Sequence, residues 1–172
     1  MSGTILTTER LRLRRPEVRD ADGAIAFFRS QRARYAGGTK DAAGAWRSFA
    51  LELGHWELRG YGMFALTTHD DDTCLGLVGP WYPEGWPETE IGWIVWPTTE
   101  GKGYGYEAAL AARGYAYQVL GWDTVVSYID ENNSRSIALA ERLGATWDHA
   151  AITPSADCRV YRHPAPAEVP SL

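Results

Sequence analysis

The chain is expected to fold as an α/β (α+β) protein with a mixed central sheet of about six to seven strands and flanking helices. Three observations lead there. Short runs alternate apolar with polar residues or are continuously apolar, at 10–14, 61–68, 74–78 and 90–96. Stripes of apolar residues spaced three and four apart separate them, the pattern of helices packed on a sheet. From residue 90 to residue 129 the order is apolar strand, glycine-rich loop, helix formers, second strand. Such a unit is parallel and sits at the centre of a sheet.

Leu11 and Leu13 alternate with Arg10, Arg12 and Arg14, so the first strand should bury one face, and Pro16 ends it. Asp20 and Asp22 are placed to cap the helix in AIAFFRSQ. After Gly37-Gly38 a longer helix is expected over residues 41–58, with Trp46, Phe49, Leu53 and Trp56 as its packed stripe. Residues 61–68 and 74–78, separated by His69-Asp70-Asp71-Asp72, read as a hairpin. The three Asp lack the spacing of a calcium loop and read as a solvated turn. Gly79-Pro80 is expected to stop that strand, and WYPEGWPE forms an aromatic loop. Residues 90–96 are apolar on both faces after Glu90, which marks a central strand.

The central helix is expected over residues 105–120, and TVVSYI at 124–129 is the partner strand. Asp130, Asn132 and Asn133 are set to cap SRSIALAERLG, which stops at Gly144. Residues 146–151 and 157–162 are expected to close the sheet as a strand pair. The expected organisation is one domain over residues 1–163 and a Pro-rich, disordered tail at 164–172.

At 172 residues the chain can bury a core without metal or disulfide staples. A net charge of −5 argues against nucleic-acid binding, which rewards clustered Lys and Arg. No stretch approaches the ~20 apolar residues of a membrane span. Cys74 and Cys158 each lie in a strand-like run where a buried thiol is ordinary. A soluble, cytoplasmic protein without metal is the expectation. Of the eight tryptophans, Trp81, Trp86, Trp93 and Trp96 fall close together and should line a core or a pocket.

Gly101, Gly103 and Gly105 alternate with Lys102 and Tyr104 immediately before a helix. Glycine tolerates φ > 0 and close approach to the main chain. The helix start adds unpaired N–H groups and a positive dipole end, so the expected guest is an anion such as phosphate. The P-loop pattern fails, because Gly105 is followed by Tyr106 where Lys and Ser or Thr are needed. The dinucleotide fingerprint fails too, because one residue rather than two separates Gly103 from Gly105.

Taken together, the element order, the loop 100–105 followed by Glu107-Ala108, and the runs 133–136 and 141–144 resemble the GNAT acetyltransferase superfamily. TTERLRLR, EIGW and NSRSIALAERLG look like the branch that contains acetyltransferases of ribosomal-protein amino termini. The resemblance spans about residues 7–162. It implies that the fourth and fifth strands splay apart, that the loop and helix start (Gly101, Lys102, Gly103, Tyr104, Gly105, Tyr106) hold the pyrophosphate of acetyl-CoA, and that Ile94, Val95 and Trp96 offer main-chain groups to the pantetheine arm. Asn133 would hydrogen-bond that arm. Two positions depart from the family pattern. Glu100 stands where Gln or Arg is usual, so its carboxylate should turn outward. Ala140 stands where many members carry a Tyr acid, leaving Ser136 as the candidate acid, with a bound water as competitor.

An amine attacking a thioester directly must first lose a proton, so a general base is wanted. Glu90 is the first candidate; the bland alternative is that it only orients a cation or pairs with an Arg. His149 and Asp157 are reserve candidates. Ser136 has its own bland reading, as part of the helix first turn. The expected activity is N-acetylation of a primary amine on a small molecule or a protein amino terminus. The rivals are a non-catalytic acyl-CoA-binding module and a nucleotide-binding protein of another class. Net acidity and the aromatic loop suit a cationic acceptor, and homodimers are common among similar proteins.

Overall fold

The computed structural model describes residues 4–168. Its strands are β1 (Thr4–Thr7), β2 (Leu11–Arg14), β3 (Phe64–Thr68), β4 (Gly76–Trp81), β5 (Glu90–Val95), β6 (Val126–Asp130), β7 (Thr146–Trp147) and β8 (Cys158–Arg162). Its α-helices are α1 (Ala21–Arg29), α2 (Ala42–Arg59), α3 (Tyr104–Gln118) and α4 (Ser134–Arg142). All eight strands join one sheet in the order β1-β2-β3-β4-β5-β6-β8-β7. The strand beyond those expected is β1, four residues that pair antiparallel with β2. Four residues carry too short a pattern to stand out in sequence.

Every neighbouring pair is antiparallel except β5 and β6. Those two share a single register pair, Glu90↔Val126. On its other side β5 pairs with β4 along its whole length, from Glu90↔Trp81 to Val95↔Gly76. The sheet therefore forks between β5 and β6.

Alternation along the strands builds a core on each face of the sheet. One face carries Leu11, Leu13, Leu66, Val78 and Ile91 against the alanine-rich side of α3, Ala108, Ala109, Ala112 and Ala116. Small side chains let α3 sit close to the strands. The other face carries Ala65, Leu77 and Trp81 against Phe27 and Phe28 of α1 and Ala45 and Phe49 of α2.

Several expectations fail for local reasons. Trp46 is 63% exposed and no part of the α2 stripe, which Phe49 and Trp56 carry. Arg14 is buried rather than solvated, because Asp20 grips it with two bonds of 2.8 Å and Asp72 with a third of 2.8 Å. Asp20 accordingly does not cap α1 with its side chain, which instead accepts the Glu17 N–H (2.8 Å), and Asp72 bonds Arg14 while staying half exposed in its turn. Pro80 does not end β4, which runs on to Trp81. Past Val78 the only strand registered beside it among the described residues is β5, so the missing N–H of Pro80 is tolerated. The strand expected at 146–151 stops at Trp147, where Asp148 Oδ1 accepts the Ala150 N–H (3.1 Å) and turns the chain.

Of the tail expected at 164–172, residues 164–168 are described. The Pro164 carbonyl accepts from Tyr117 Oη (2.7 Å) and the Ala165 N–H donates to Glu168 (2.8 Å), while residues 169–172 lie outside the described residues.

Removing one partner of a buried pair strands the other charge, at roughly 3–5 kcal/mol. With Asp72 still present, Asp20→Ala is expected to lower the unfolding free energy by about 3 kcal/mol in urea titrations. A loss below about 0.5 kcal/mol would mean that Asp72 alone satisfies Arg14.

Candidate active site

The fork leaves part of β5 without a neighbour, and hydrogen-bond parity tells which groups are free. The Trp96 N–H donates to the Leu75 carbonyl on the β4 side (2.9 Å). The Ile91 carbonyl accepts from Ser127 Oγ on the β6 side (2.7 Å). Successive residues of a strand point their main-chain groups to opposite edges. Ile94 and Trp96 therefore face β4, and Trp93 and Val95 face the opening. Of the three residues expected to offer their main chain there, Val95 does so and Ile94 and Trp96 do not. Trp96 is further committed, since its carbonyl accepts from Thr99 (2.9 Å) and its ring is buried among Phe27 and its neighbours. Trp93 instead shares the open edge with Val95, a placement that sequence reading passed over because strand parity cannot be set from sequence.

At one end of the free edge lies the glycine loop. Gly101 and Gly103 hold φ of 77° and 78°, a left-handed conformation that side chains resist. Gly103 is the N-cap of α3 and supplies no capping side chain, so the first N–H groups of the helix remain without an intrahelical acceptor. An added Cβ at Gly105 would stand 3.3 Å from Val95 Cγ2, so glycine lets the helix start close upon β5. Unpaired N–H groups at a helix start, reached through glycines, are the chemistry of an anion site.

The loop is braced by a residue that sequence reading missed. Arg10 donates through Nη1 to the Lys102 carbonyl (2.9 Å) and through Nε to Glu107 (2.6 Å), and its guanidinium lies over the Tyr104 ring. Glu107 also accepts from Thr8 Oγ1 (2.6 Å) and from the Arg10 N–H (2.8 Å). Glu100, expected to turn outward, pairs with both Arg32 and Arg135. Its charge is thus offset beside the glycine loop.

At the fork itself sits Glu90, 8% exposed. Trp86 Nε1 donates to Oε2 (2.7 Å) and the Tyr128 N–H to Oε1 (3.3 Å). The second bond satisfies a main-chain donor that the fork deprives of its strand partner. Burial pushes the carboxyl up to about 7, against those two hydrogen bonds.

Ser136 stands in the first turn of α4, its Oγ accepting from Trp93 Nε1 (3.2 Å). Its own hydroxyl hydrogen is left to donate. Asn133 is the N-cap of that helix, accepting the Ser136 N–H on Oδ1 (3.3 Å). The capping role leaves its amide N–H₂ available.

One cleft of about 1280 Å³ takes in Glu90, Val95, the glycine loop, Asn133 and Ser136. It also takes in Glu52 of α2, which sequence reading missed. The signal was there: Glu52 falls among Phe49, Leu53 and Trp56 at helical spacing, an acid on the packed stripe. Burial pushes its carboxyl up to about 8, with Glu90 adding to the effect.

Of the reserve candidates, Asp157 lines the cleft, while His149 is exposed and stacks on Trp147 away from it. Cys74 and Cys158 are free thiols. Among the described residues no group of three His, Cys, Asp or Glu could hold a metal ion, and no helix is long and apolar enough to cross a membrane.

A second buried network ties the fork to α3. Arg113 Nη1 donates to the Leu143 carbonyl (2.5 Å) and to His163 Nδ1 (3.3 Å). His163 Nε2 then donates to Ser127 Oγ (2.9 Å), which passes its own hydrogen to Ile91. Burial, with Arg113 nearby, pushes His163 down to about 3, so the ring is neutral and acts as a fixed strut.

Both cleft carboxyls sit above their ordinary value of 4.5, so the folded protein holds protons that the unfolded chain has released. Their contribution to stability is full below about pH 4.5 and is lost as pH rises through 7 to 8. The melting temperature is expected to fall between about pH 5 and 8, and Glu52→Gln to flatten that fall. An equal slope in the variant would show that Glu52 is ionised throughout.

Comparison with known proteins agrees with this geometry. A family described as "Acetyltransferase (GNAT) domain" matches residues 10–146. Uncharacterized protein YkkB of Bacillus subtilis (strain 168) is 31% identical over 150 residues, covering 82% of this chain and 84% of YkkB. The crystal structure of an acetyltransferase from Agrobacterium tumefaciens str. C58 superposes with a TM-score of 0.89 at 35% identity, covering 95% of this chain and 96% of that one. RimL, a ribosomal L7/L12 alpha-N-protein acetyltransferase solved in complex with coenzyme A, shares the fold at a TM-score of 0.70 and 15% identity, covering 94% of this chain and 96% of RimL. A forked sheet, a glycine cradle at a helix start and a family match over most of the length make this chain a member of the GNAT acetyltransferase family.

Proposed function

We propose that the protein is a cytoplasmic, acetyl-CoA-dependent N-acetyltransferase, a single domain over residues 1–163, acting on a primary amine. The observation that carries this is the free edge of β5 with an anion cradle at one end and a buried carboxyl at the other. Two solved relatives support the choice of cosubstrate by their descriptions, RimL with coenzyme A and a spermidine N-acetyltransferase from Vibrio cholerae with CoA and spermine. They share the fold at 15% and 16% identity, and their acceptors are their own.

In this reading the N–H groups of residues 101–106 and Lys102 hold the pyrophosphate, and Trp93, Val95 and the Asn133 amide hold the pantetheine arm. Acetyl-CoA supplies an activated acyl thioester. Glu90 takes a proton from R–NH₃⁺, leaving a lone pair on nitrogen. The amine forms a C–N bond at the acyl carbon while the Val95 N–H faces the developing oxyanion. The C–S bond then breaks as nitrogen gives its second proton to solvent, and the Ser136 hydroxyl donates to the departing sulfur and is reprotonated from solvent, while Glu90 returns its proton to solvent. The net change is R–NH₃⁺ and acetyl-CoA to the amide, CoA–SH and one proton released. The acceptor is an amine of a small molecule or a protein amino terminus, and the branch resemblance adds a homodimer as the assembly to test.

Ala140 is fully buried and carries no acid, which favours a second reading, an acyl-CoA-binding module without transfer. Release of free thiol with a set of amines separates the two.

Calorimetry should register binding of acetyl-CoA to the intact protein. Gly103→Glu is expected to abolish it, while Gly103→Ala, under the same backbone strain, retains it. No heat with acetyl-CoA or CoA would end the proposal at its first step. Glu90→Gln is expected to lower kcat by about 10²–10⁴-fold and to remove the rise of kcat/KM with pH centred near 7. An unchanged rise would assign the base elsewhere.

A further inference from the structure

We propose that Glu52 is an acceptor-binding residue, and that with Glu90 it forms a two-carboxyl seat for the primary ammonium group of the amine to be acetylated. The inference rests on the transferase reading above and adds the residue and the charge state by which the acceptor is chosen.

Glu52 is only 5% exposed, and its Oε2 is buried without a hydrogen-bond partner among the described residues. Buried carboxyl oxygens without partners are exceptional, and each calls for a donor. Phe27, Phe28 and Met63 line the same cleft without a polar hydrogen, and the Trp86 indole N–H is spent on Glu90. The Tyr128 hydroxyl, which also lines the cleft, is likewise buried without a partner among the described residues, so the two groups do not satisfy each other. His55, one turn along α2, is also spent, donating from Nδ1 to the Tyr61 carbonyl (2.8 Å) and accepting the Tyr82 N–H on Nε2 (3.0 Å). Burial first, and the neighbouring Glu90 second, hold the Glu52 carboxyl above its ordinary value, and no salt bridge to it occurs among the described residues. A leucine would suit this wall better than an acid, so the acid marks a place where a donor arrives from outside.

The chemistry of that donor follows from the pair. Two buried carboxyls that repel one another retain a proton between them, so the seat carries about one negative charge near neutral pH. One ammonium group neutralises it. Three N–H bonds let a primary ammonium reach both carboxyls at once, and the aromatic wall offers ring faces to a cation. After R–NH₃⁺ gives one proton to the Glu90 carboxylate, the remaining R–NH₂ keeps an N–H to Glu52 and turns its lone pair toward the free edge of β5. Hydroxyl and thiol acceptors lack the charge and the donors. A small alkylamine and a peptide α-amine share the group, so the source is decided by experiment.

The test uses the intact wild-type protein, Glu52→Gln and Glu52→Leu. CoA binding is measured first by calorimetry and is expected to agree among the three within about threefold; failure of the wild type here would sink the transferase reading, separately from this inference. The CoA-saturated proteins are then titrated with n-butylamine, benzylamine and the tripeptide Ser-Ala-Ala, and rates with acetyl-CoA are followed by thiol release. At least one amine is expected to bind the wild type, with affinity lost tenfold or more in both variants. For an amine that turns over, KM should rise more than kcat falls. The melting temperature of Glu52→Leu is expected to equal or exceed that of the wild type, which separates a lost binding group from a lost structural one. The proposal is overturned if no amine binds the CoA-saturated wild type, or if affinity and KM in Glu52→Gln stay within twofold of the wild type.

Discussion

Two parallel strands that pair at Glu90 and Val126 and then separate impose the constraint on which the rest of this molecule depends. Main-chain groups away from water need partners, and a fork inside a sheet denies them to the inner strand. The protein answers differently at its two depths. Near the vertex, side chains substitute for the lost ladder: Ser127 bonds the Ile91 carbonyl and Glu90 accepts the Tyr128 N–H. Further out nothing among the described residues substitutes, and Trp93 and Val95 face an open cleft. In the proposed reading that vacancy is the seat of the cosubstrate's amide-bearing arm.

Glu90 shows how fold and chemistry share one group. As acceptor for Tyr128 it helps close the vertex, and as a buried carboxyl raised to about 7 it is poised near neutral pH to take a proton. The second network, from Arg113 through His163 to Ser127, holds the same vertex from the α3 side. A third brace runs from Arg10 to Glu107 and the Lys102 carbonyl, fixing the glycine loop against β2. Each uses a side chain distant in sequence to hold main chain that local structure leaves unsupported.

The fold was largely legible because its pattern is periodic. Leu11 and Leu13, the strand at 90–96 and the helix that follows the glycines announce themselves by spacing, and the expectation of an anion at the loop follows from glycine and helix geometry. What failed to show needed partners far away. Arg14 reads as a solvated residue until Asp20 and Asp72 meet it, and Trp46 reads as core until the helix is seen to turn it outward. Ile94 and Trp96 were expected to face the cleft because sequence does not say which edge of a strand each residue's main chain addresses. Glu52 was overlooked because a single acid in a helix is ordinary, and its burial appears only once α2 is laid on the sheet.

Amide hydrogen exchange at Trp93 and Val95 probes the fork most directly. These N–H groups should exchange freely in the protein alone, while those of Ile94 and Trp96, facing β4, are protected. With saturating coenzyme A, exchange at Trp93 and Val95 should slow by tenfold or more. Strong protection of both before any ligand is added, or no change on adding it, would contradict the claim that β5 keeps an unpaired edge for its cosubstrate.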